Sequence, residues 1–443
     1  MKEVLLKHNY QWHDRSFDTG IKRDLLAKII KTLDIRHVVA ISGARRSGKS
    51  YIFRQLIKHL IDSGVKRENI LQVNFEDPFF ISLRNDISIF ENLYSEFLNI
   101  KNPAGKVYLF LDEIQNINNW QFWVRDIYDR NEHVKIFITG SNAELLSDEL
   151  ATHLTGRVLA FDNFPFSFTE YFKGLNDPHL PELTESYSPG KLYEHLYPYK
   201  EKLLHYIELS FKRGLFPEVA YLEDIELVKD ILSQYFQNVL FRDIVRRFSI
   251  RKTKVIEQLA YYLSTNFTSI YSYRKLADAV GTNENTVKEY LSYFEKAYLF
   301  FSVDYFEYSL KKQFKRNRKI YAVDCGMRDA TSFSFSKDSG RYAENTVFQM
   351  LRRMTAKVYY WYEDSSKKEI DFVIKPRNQP IAINVSYTDE LPTREFEAFK
   401  AFSKIATPER YILVTKKHFE RKTLDGKTIE LIPLWMFVFL KLF

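Results

Sequence analysis

The sequence predicts an α/β chain whose first third is built on a parallel sheet, and three observations carry that reading. Short apolar, β-branched runs alternate with segments of helical period. A glycine-bearing octet stands between the first such run and the helix after it. A later, almost wholly apolar run closes on an acidic pair.

Length and composition bound the rest. At roughly 150 residues per domain, 443 residues allow about three domains. The single cysteine, Cys325, excludes an intramolecular disulfide framework and a cysteine-clustered zinc site, and reads as a small core residue. No apolar run approaches the ~18 residues of a membrane span, and residues 1–15 lack the apolar core of a signal peptide. A cytoplasmic protein with no membrane contact is therefore expected. The net charge of +8 is mild for this length, so it permits nucleic acid as a partner without requiring it.

The first strand is read at 38–41, and it breaks at Gly43. From about Gly48 the pattern turns helical, with Ile52/Phe53, Leu56/Ile57 and Leu60/Ile61 recurring four apart until Gly64. Between them Gly43, Ala44, Arg45, Arg46, Ser47, Gly48, Lys49 and Ser50 fit the pattern G-x-x-x-x-G-K-[ST] without a gap. The glycines permit a backbone path whose N–H groups face phosphates, and the next helix adds its positive end. Lys49 would reach the β- and γ-phosphates of ATP, Ser50 would ligate Mg²⁺, and Tyr51 completes the nucleotide-binding set.

Further strands are read at 70–75 and 107–111, the second ending in Asp112 and Glu113. Asp112 would hold Mg²⁺ through water, and Glu113 would orient or deprotonate the attacking water. A helix at 120–130 leads to a strand at 135–139 and the turn Gly140-Ser141-Asn142. Thr139, Ser141 or Asn142 would lie beside the γ-phosphate; the alternative for each is an N-cap for a helix beginning near Ala143. A fifth strand is read at 158–161. Just before it, Arg157 is either a finger for a neighbouring subunit's nucleotide, which would require an oligomer, or a surface ion-pair residue. This order of strands and chemistry is a P-loop NTPase core.

The combination GARRSGKS, VNFEDP, FLDEIQN, ITGSNAELLS and LTGR resembles the AAA-type ATPases of bacteria and archaea that carry a C-terminal domain of unknown function. Later segments (FPFSFTEYF, RGLFPEV, KIYAVDCG, AENTVFQMLRR, EIDFVI) are similar to that family too, so the resemblance runs from about Arg23 to the end. It implies an AAA+ core over 1–163 and a helical cap over 164–250, within which 177–200 is expected to be an exposed loop.

A winged-helix segment is expected over 251–330. Helices at 273–280 and 285–296, joined by a short turn containing Gly281, read as helix-turn-helix, with strands at 297–306 and 320–323 as the wing. Between those strands, residues 311–319 hold six cations and no acid, a candidate contact to DNA or RNA; a packing or protein-interaction module is the alternative. Over 331–443, a helix at 344–353 followed by strands at 357–361, 370–374 and 381–385 resembles the restriction-endonuclease-like fold found at the end of this family. Active members of that fold pair an aspartate with a D/E-x-K triplet. Here Glu344 and Asp371 remain, but the triplet is Asn384-Val385-Ser386, and the nearest lysine in sequence, Lys375, sits on the wrong strand. The domain is expected to be inactive as a nuclease.

The sequence thus predicts a Mg²⁺-dependent ATPase. Coupling to nucleic acid is the leading role, an ATP-dependent switch contacting proteins the alternative, and DNA cleavage the last.

Overall fold

The computed structural model describes residues 1–13, 16–141, 154, 156–181, 188–332, 339–355 and 357–442. Two compact units emerge: Met1–Pro165 with Lys296–Tyr298, and Phe166–Glu295 with Leu299–Phe443.

The first unit is a parallel five-stranded sheet. Its strands are β1 (Val38–Gly43), β2 (Ile70–Asn74), β3 (Val107–Asp112), β4 (Val134–Gly140) and β5 (Val158–Asn163), in the order β2-β3-β4-β1-β5. β1, β3 and β4 are buried along their whole length because helices cover both faces, which explains their near-continuous apolar runs. β5, at the edge, is only half-buried. One face packs Ile52, Phe53, Leu56 and Leu60 of helix Lys49–Asp62 against Val39, Ile41 and Phe110. The other packs Phe90, Leu93 and Phe97 of helix Ser88–Lys101, and Trp123 and Ile127 of helix Trp120–Arg130, against Leu109, Leu111 and Ile136. β1 lies between β4 and β5, so its carboxyl end opens where neighbouring connections diverge, the usual place for a ligand in such sheets.

The second unit contains a nine-stranded sheet with the added strands β6 (Ile270–Tyr271), β7 (Phe300–Tyr305), β8 (Arg318–Ala322), β9 (Val358–Glu363), β10 (Lys368–Ile374), β11 (Ile381–Ser386), β12 (Arg410–Thr415), β13 (Glu420–Leu424) and β14 (Lys427–Pro433). Their order is β13-β14-β12-β11-β10-β9-β7-β8-β6. One end of it follows helix Thr253–Thr265, β6, helices Tyr273–Val280 and Glu284–Lys296, then the antiparallel pair β7/β8 with β6 against β8. Ser272 caps the first helix of that pair through Lys275 N, and Gly281 ends it at φ +66°.

Three expectations are corrected. Residues 189–196 are helical, not loop: Ser188 and Pro189 start helix Pro189–Leu196, with proline at the helix start where its missing N–H costs nothing. The strand read from 297 begins only at Phe300, because Tyr298 turns the chain at φ +56°. The basic stretch 311–319 is not a uniform loop either. Leu310–Gln313 forms a helical turn, while Arg318 and Lys319 lie in β8, Lys319 being buried. No helix among the described residues is long and apolar enough to cross a membrane.

Candidate nucleotide site and a buried ion cluster

The loop from Gly43 to Ser50 connects the end of β1 to helix Lys49–Asp62. Gly43 is confined by packing: a Cβ there would stand 2.0 Å from the Asn163 carbonyl oxygen. Gly48 stands at φ +92° and Arg46 at φ +67°, the left-handed turns that curl the loop. Ser47 is buried. Its hydroxyl and carbonyl both accept from Asn163 Nδ2, at 2.9 and 3.0 Å, and its carbonyl also accepts from Arg23 Nη1 at 2.6 Å. The loop is thus fastened from behind. The helix it opens has no side-chain cap and no acid in its first turn, which leaves its positive end uncompensated.

Strand ends bring the polar groups together across that loop. Ser50 Oγ donates to Asp112 Oδ2 at 2.7 Å, and the Thr139 hydroxyl donates to Asp112 Oδ1. Lys49 Nζ, buried, lies 3.1 Å from the Gly43 carbonyl and 3.4 Å from Glu113 Oε1. Glu113 adopts φ +51°, so the following turn Ile114–Asn116 folds back and Gln115 Nε2 donates to Glu113 Oε2 at 2.6 Å. Gln115 Nε2 also reaches Ser141 Oγ at 3.4 Å, and its Oε1 is buried without a partner.

Burial and the neighbouring Glu113 push the Asp112 carboxyl up, against the hydrogen bonds from Thr139 and Ser50. Burial also opposes ionisation of Glu113, but the Lys49 ammonium, the Gln115 hydrogen bond and Arg45 together outweigh it and hold that carboxyl below its usual value. The pair is therefore differentiated, with Glu113 ionised beside the lysine. The oxygen donors Ser50, Asp112 and Thr139 suit a small hard cation, and the uncapped helix start and orphaned Gln115 acceptor suit a polar ligand. The residues fit Mg²⁺ and a nucleotide phosphate.

Other expected residues are less central. Arg45 pairs with Glu76 at 3.1 Å. The Tyr51 ring packs over Gly20, and its hydroxyl meets Asp18 at 3.3 Å, facing the segment before the sheet. Arg157 pairs with Asp129 at 3.3 Å on a partly exposed surface. Asn142 lies outside the described residues. Gln115 was not singled out by sequence reasoning. Its signal was its place two residues beyond Glu113, legible only once the chain is seen to reverse there.

A second cluster sits in the other unit. Lys319 Nζ, wholly buried, contacts Glu344 Oε1 at 2.7 Å, Glu369 Oε1 at 2.6 Å and Asp371 Oδ1 at 3.0 Å, and Tyr321 donates to Glu344 at 2.7 Å. Lys375 is thus not the lysine that matters: β8 delivers another to the carboxylates from 52 residues upstream of Asp371. Burial raises the Glu344 carboxyl to about 8 despite the lysine, with Asp371 and Glu369 adding to the rise. Asn384 is a structural residue. It accepts from Asp371 N at 3.0 Å and donates to the Glu369 carbonyl and to Glu395 at 3.1 and 2.9 Å. No group of three or more His, Cys, Asp or Glu among the described residues is arranged to hold a metal.

Comparison with known proteins places this chain in a family. Residues 35–172 match an AAA domain, 205–338 a domain of unknown function (DUF8612) and 339–437 another (DUF4143). Uncharacterized protein MJ1544 of Methanocaldococcus jannaschii is 33% identical over 431 residues, covering 94% of this chain and 90% of that one. An uncharacterized protein of Haemophilus influenzae is 30% identical over 423 residues, covering 94% and 98%. Among solved structures, Aeropyrum pernix ORC1 in complex with DNA aligns over 73% of this chain and 96% of its own at 10% identity and a TM-score of 0.30. AMPPCP-bound DnaA from Aquifex aeolicus aligns over 61% and 86% at 12% identity and 0.26. The chain belongs to the family of the M. jannaschii and H. influenzae proteins, and carries an AAA domain over residues 35–172.

Proposed function

We propose that the protein is a Mg²⁺-dependent ATPase that releases ADP and phosphate by attack of water on the γ-phosphate. The observation that supports it most is the convergence of Lys49 and Ser50, from one helix start, with Asp112 and Glu113, from one strand end: Ser50 donates to Asp112 and Lys49 lies 3.4 Å from Glu113. Ser50 and Asp112 would hold the metal, which when bound draws charge from the phosphates. Lys49 leaves the Gly43 carbonyl and Glu113 for the phosphate oxygens, and Glu113, freed, accepts the proton of the attacking water. Gln115 keeps the Glu113 carboxylate aimed. Arg157 serves in trans only if the chain assembles with copies of itself. A fluorescent ATP analogue titrated against the protein tests the binding half: Glu113→Gln should bind as the parent does and Lys49→Ala should not. Equal binding by Lys49→Ala would sink the assignment.

We read the remainder as a helical cap over 164–250, a winged-helix segment over 251–330 and a restriction-endonuclease-like domain over 331–443. The helix–strand–helix–helix–strand–strand order supports the middle assignment. The last domain is read as inactive, because the Lys319 ammonium fills the space among Glu344, Glu369 and Asp371 where a metal would have to sit. Coupling to DNA or RNA through the winged-helix segment is the favoured role. The exposed lysines of the wing are Lys311, Lys312 and Lys315; Arg316, Arg318 and Lys319 are engaged by Asp364, by Asp304 and by the carboxylate cluster. That shortfall of charge is what favours the second reading, a protein-contacting switch.

A further inference from the structure

The charge that the wing lacks stands elsewhere in the same unit. Residues 246–254 read Arg-Arg-Phe-Ser-Ile-Arg-Lys-Thr-Lys, five cations and no acid, and all five cations are exposed. Arg246, Arg251, Lys252 and Lys254 form no ion pair among the described residues.

This stretch is a built turn. It follows a π-helical segment, Val239–Val245, and is closed by backbone hydrogen bonds from Phe248 N to the Ile244 carbonyl and from Ile250 N to the Val245 carbonyl. Ser249 turns the chain at φ +51°. Phe248 then stacks on Tyr293 with ring centroids 3.8 Å apart and planes 9° from parallel. That contact sets the turn beside helix Glu284–Lys296, the second helix of the helix-turn-helix. The exposed positions of that helix, Glu284, Asn285, Lys288, Glu289, Ser292 and Glu295, are all polar, with three acids to one lysine, so the helix itself supplies no cationic surface. The helix following the turn, Thr253–Thr265, carries no acid in its first turn, so Arg251, Lys252 and Lys254 add to a helix end that is already positive. Cations placed there repel one another and the dipole, an arrangement relieved by an anion.

We propose that the turn 246–254 is a phosphate-backbone contact for duplex nucleic acid, with helix Glu284–Lys296 lying beside it at the groove. This rests on the nucleic-acid part of the function proposed above and relocates its electrostatic centre from the wing to the turn. A polar helix that adds no cations, flanked by a cationic turn, is the division of labour expected when backbone contacts supply affinity and a helix face meets base edges. A lipid surface would ask for apolar side chains beside the charge. In the turn the aromatic ring is spent on Tyr293.

The test is binding of a fluorescein-labelled duplex DNA by the full-length protein, by anisotropy, at salt concentrations between about 50 and 200 mM. The comparison is with the variant Arg246→Gln/Arg251→Gln/Lys252→Gln/Lys254→Gln. Each lost phosphate contact reduces the slope of log K against log salt by about 0.9, so the fourfold variant should bind more weakly with a slope shallower by about 3 to 4. Its thermal unfolding and DNA-free ATPase rate should match the parent. Parent-like affinity and slope in this variant, with binding lost instead in Lys311→Gln/Lys312→Gln/Lys315→Gln, would overturn the proposal and leave the nucleic-acid reading standing. If the parent ignores DNA at every salt concentration, or binds phosphatidylserine vesicles in its place, both fall.

Discussion

Replacing Lys319 by methionine removes the one cation that three carboxylates share in the second unit. The ammonium lies 2.6 to 3.0 Å from Glu344, Glu369 and Asp371, and its side chain is 3% exposed. Removing one partner of a buried ion pair costs about 3–5 kcal/mol, because the remaining charge stays desolvated. Two features draw the figure to the low end. Glu369 is 31% exposed, so water screens it, and Glu344, raised to about 8, retains a proton near neutrality. The expected loss is about 3 kcal/mol, which is about 150-fold in an opening equilibrium. Amide hydrogen exchange along β9 and β10 reads that opening locally. Exchange there should accelerate about 150-fold in Lys319→Met while the strands of the first unit hold their parental rates. Exchange in β10 within about threefold of the parent would refute the view that this lysine holds the cluster together.

Two further outcomes follow from the same unit. Gly214 stands at φ +71°, and a Cβ on it would meet Asp324 Oδ1 at 2.0 Å, the carboxylate that also accepts from Leu215 N and caps helix Cys325–Thr331 through Met327 N. Gly214→Ala should therefore cost at least about 3 kcal/mol and lower Tm by more than about 5 °C, whereas Gly190→Ala, with open space around it, should leave Tm unchanged. The pH dependence of stability tests Glu344. A carboxyl raised from the ordinary 4.5 to about 8 keeps a proton in the folded state that the unfolded chain has released. More protons are bound when folded, so stability falls as pH rises from about 4.5 to 8. Glu344→Gln should flatten that decline in thermal unfolding across the window; an unchanged pH slope would contradict the assignment.

Most of the first unit was legible because its signals are local. The strand-loop-helix around Gly43 to Ser50 and the acidic end of β3 declare themselves in a few residues each, and helix Trp120–Arg130 can be bounded from its sequence alone. Fastening of the loop was not legible, since Arg23 and Asn163 reach Ser47 from 24 and 116 residues away. Lys319 was misread for the same reason. As one cation among six it looked exposed, and only the pairing of β7 with β8 and β9 turns it inward toward partners on other elements. The charges of the turn 246–254 lie close together in the sequence, yet nothing local sets them apart from a solvated surface run. What gives them meaning is the contact of Phe248 with Tyr293, which is tertiary. The helix at Pro189–Leu196 was a local signal, serine before proline, overlooked within a polar stretch.

The central claim is that Lys49, Ser50, Asp112 and Glu113 form a site that hydrolyses ATP. Steady-state phosphate release from ATP and Mg²⁺, measured on the parent, Lys49→Ala and Glu113→Gln, tests it most directly. The parent should turn ATP over, Lys49→Ala should show nothing above background, and Glu113→Gln should fall on the order of 10²-fold or more, the loss expected when a general base is removed. Turnover by Lys49→Ala at the parental rate would contradict it.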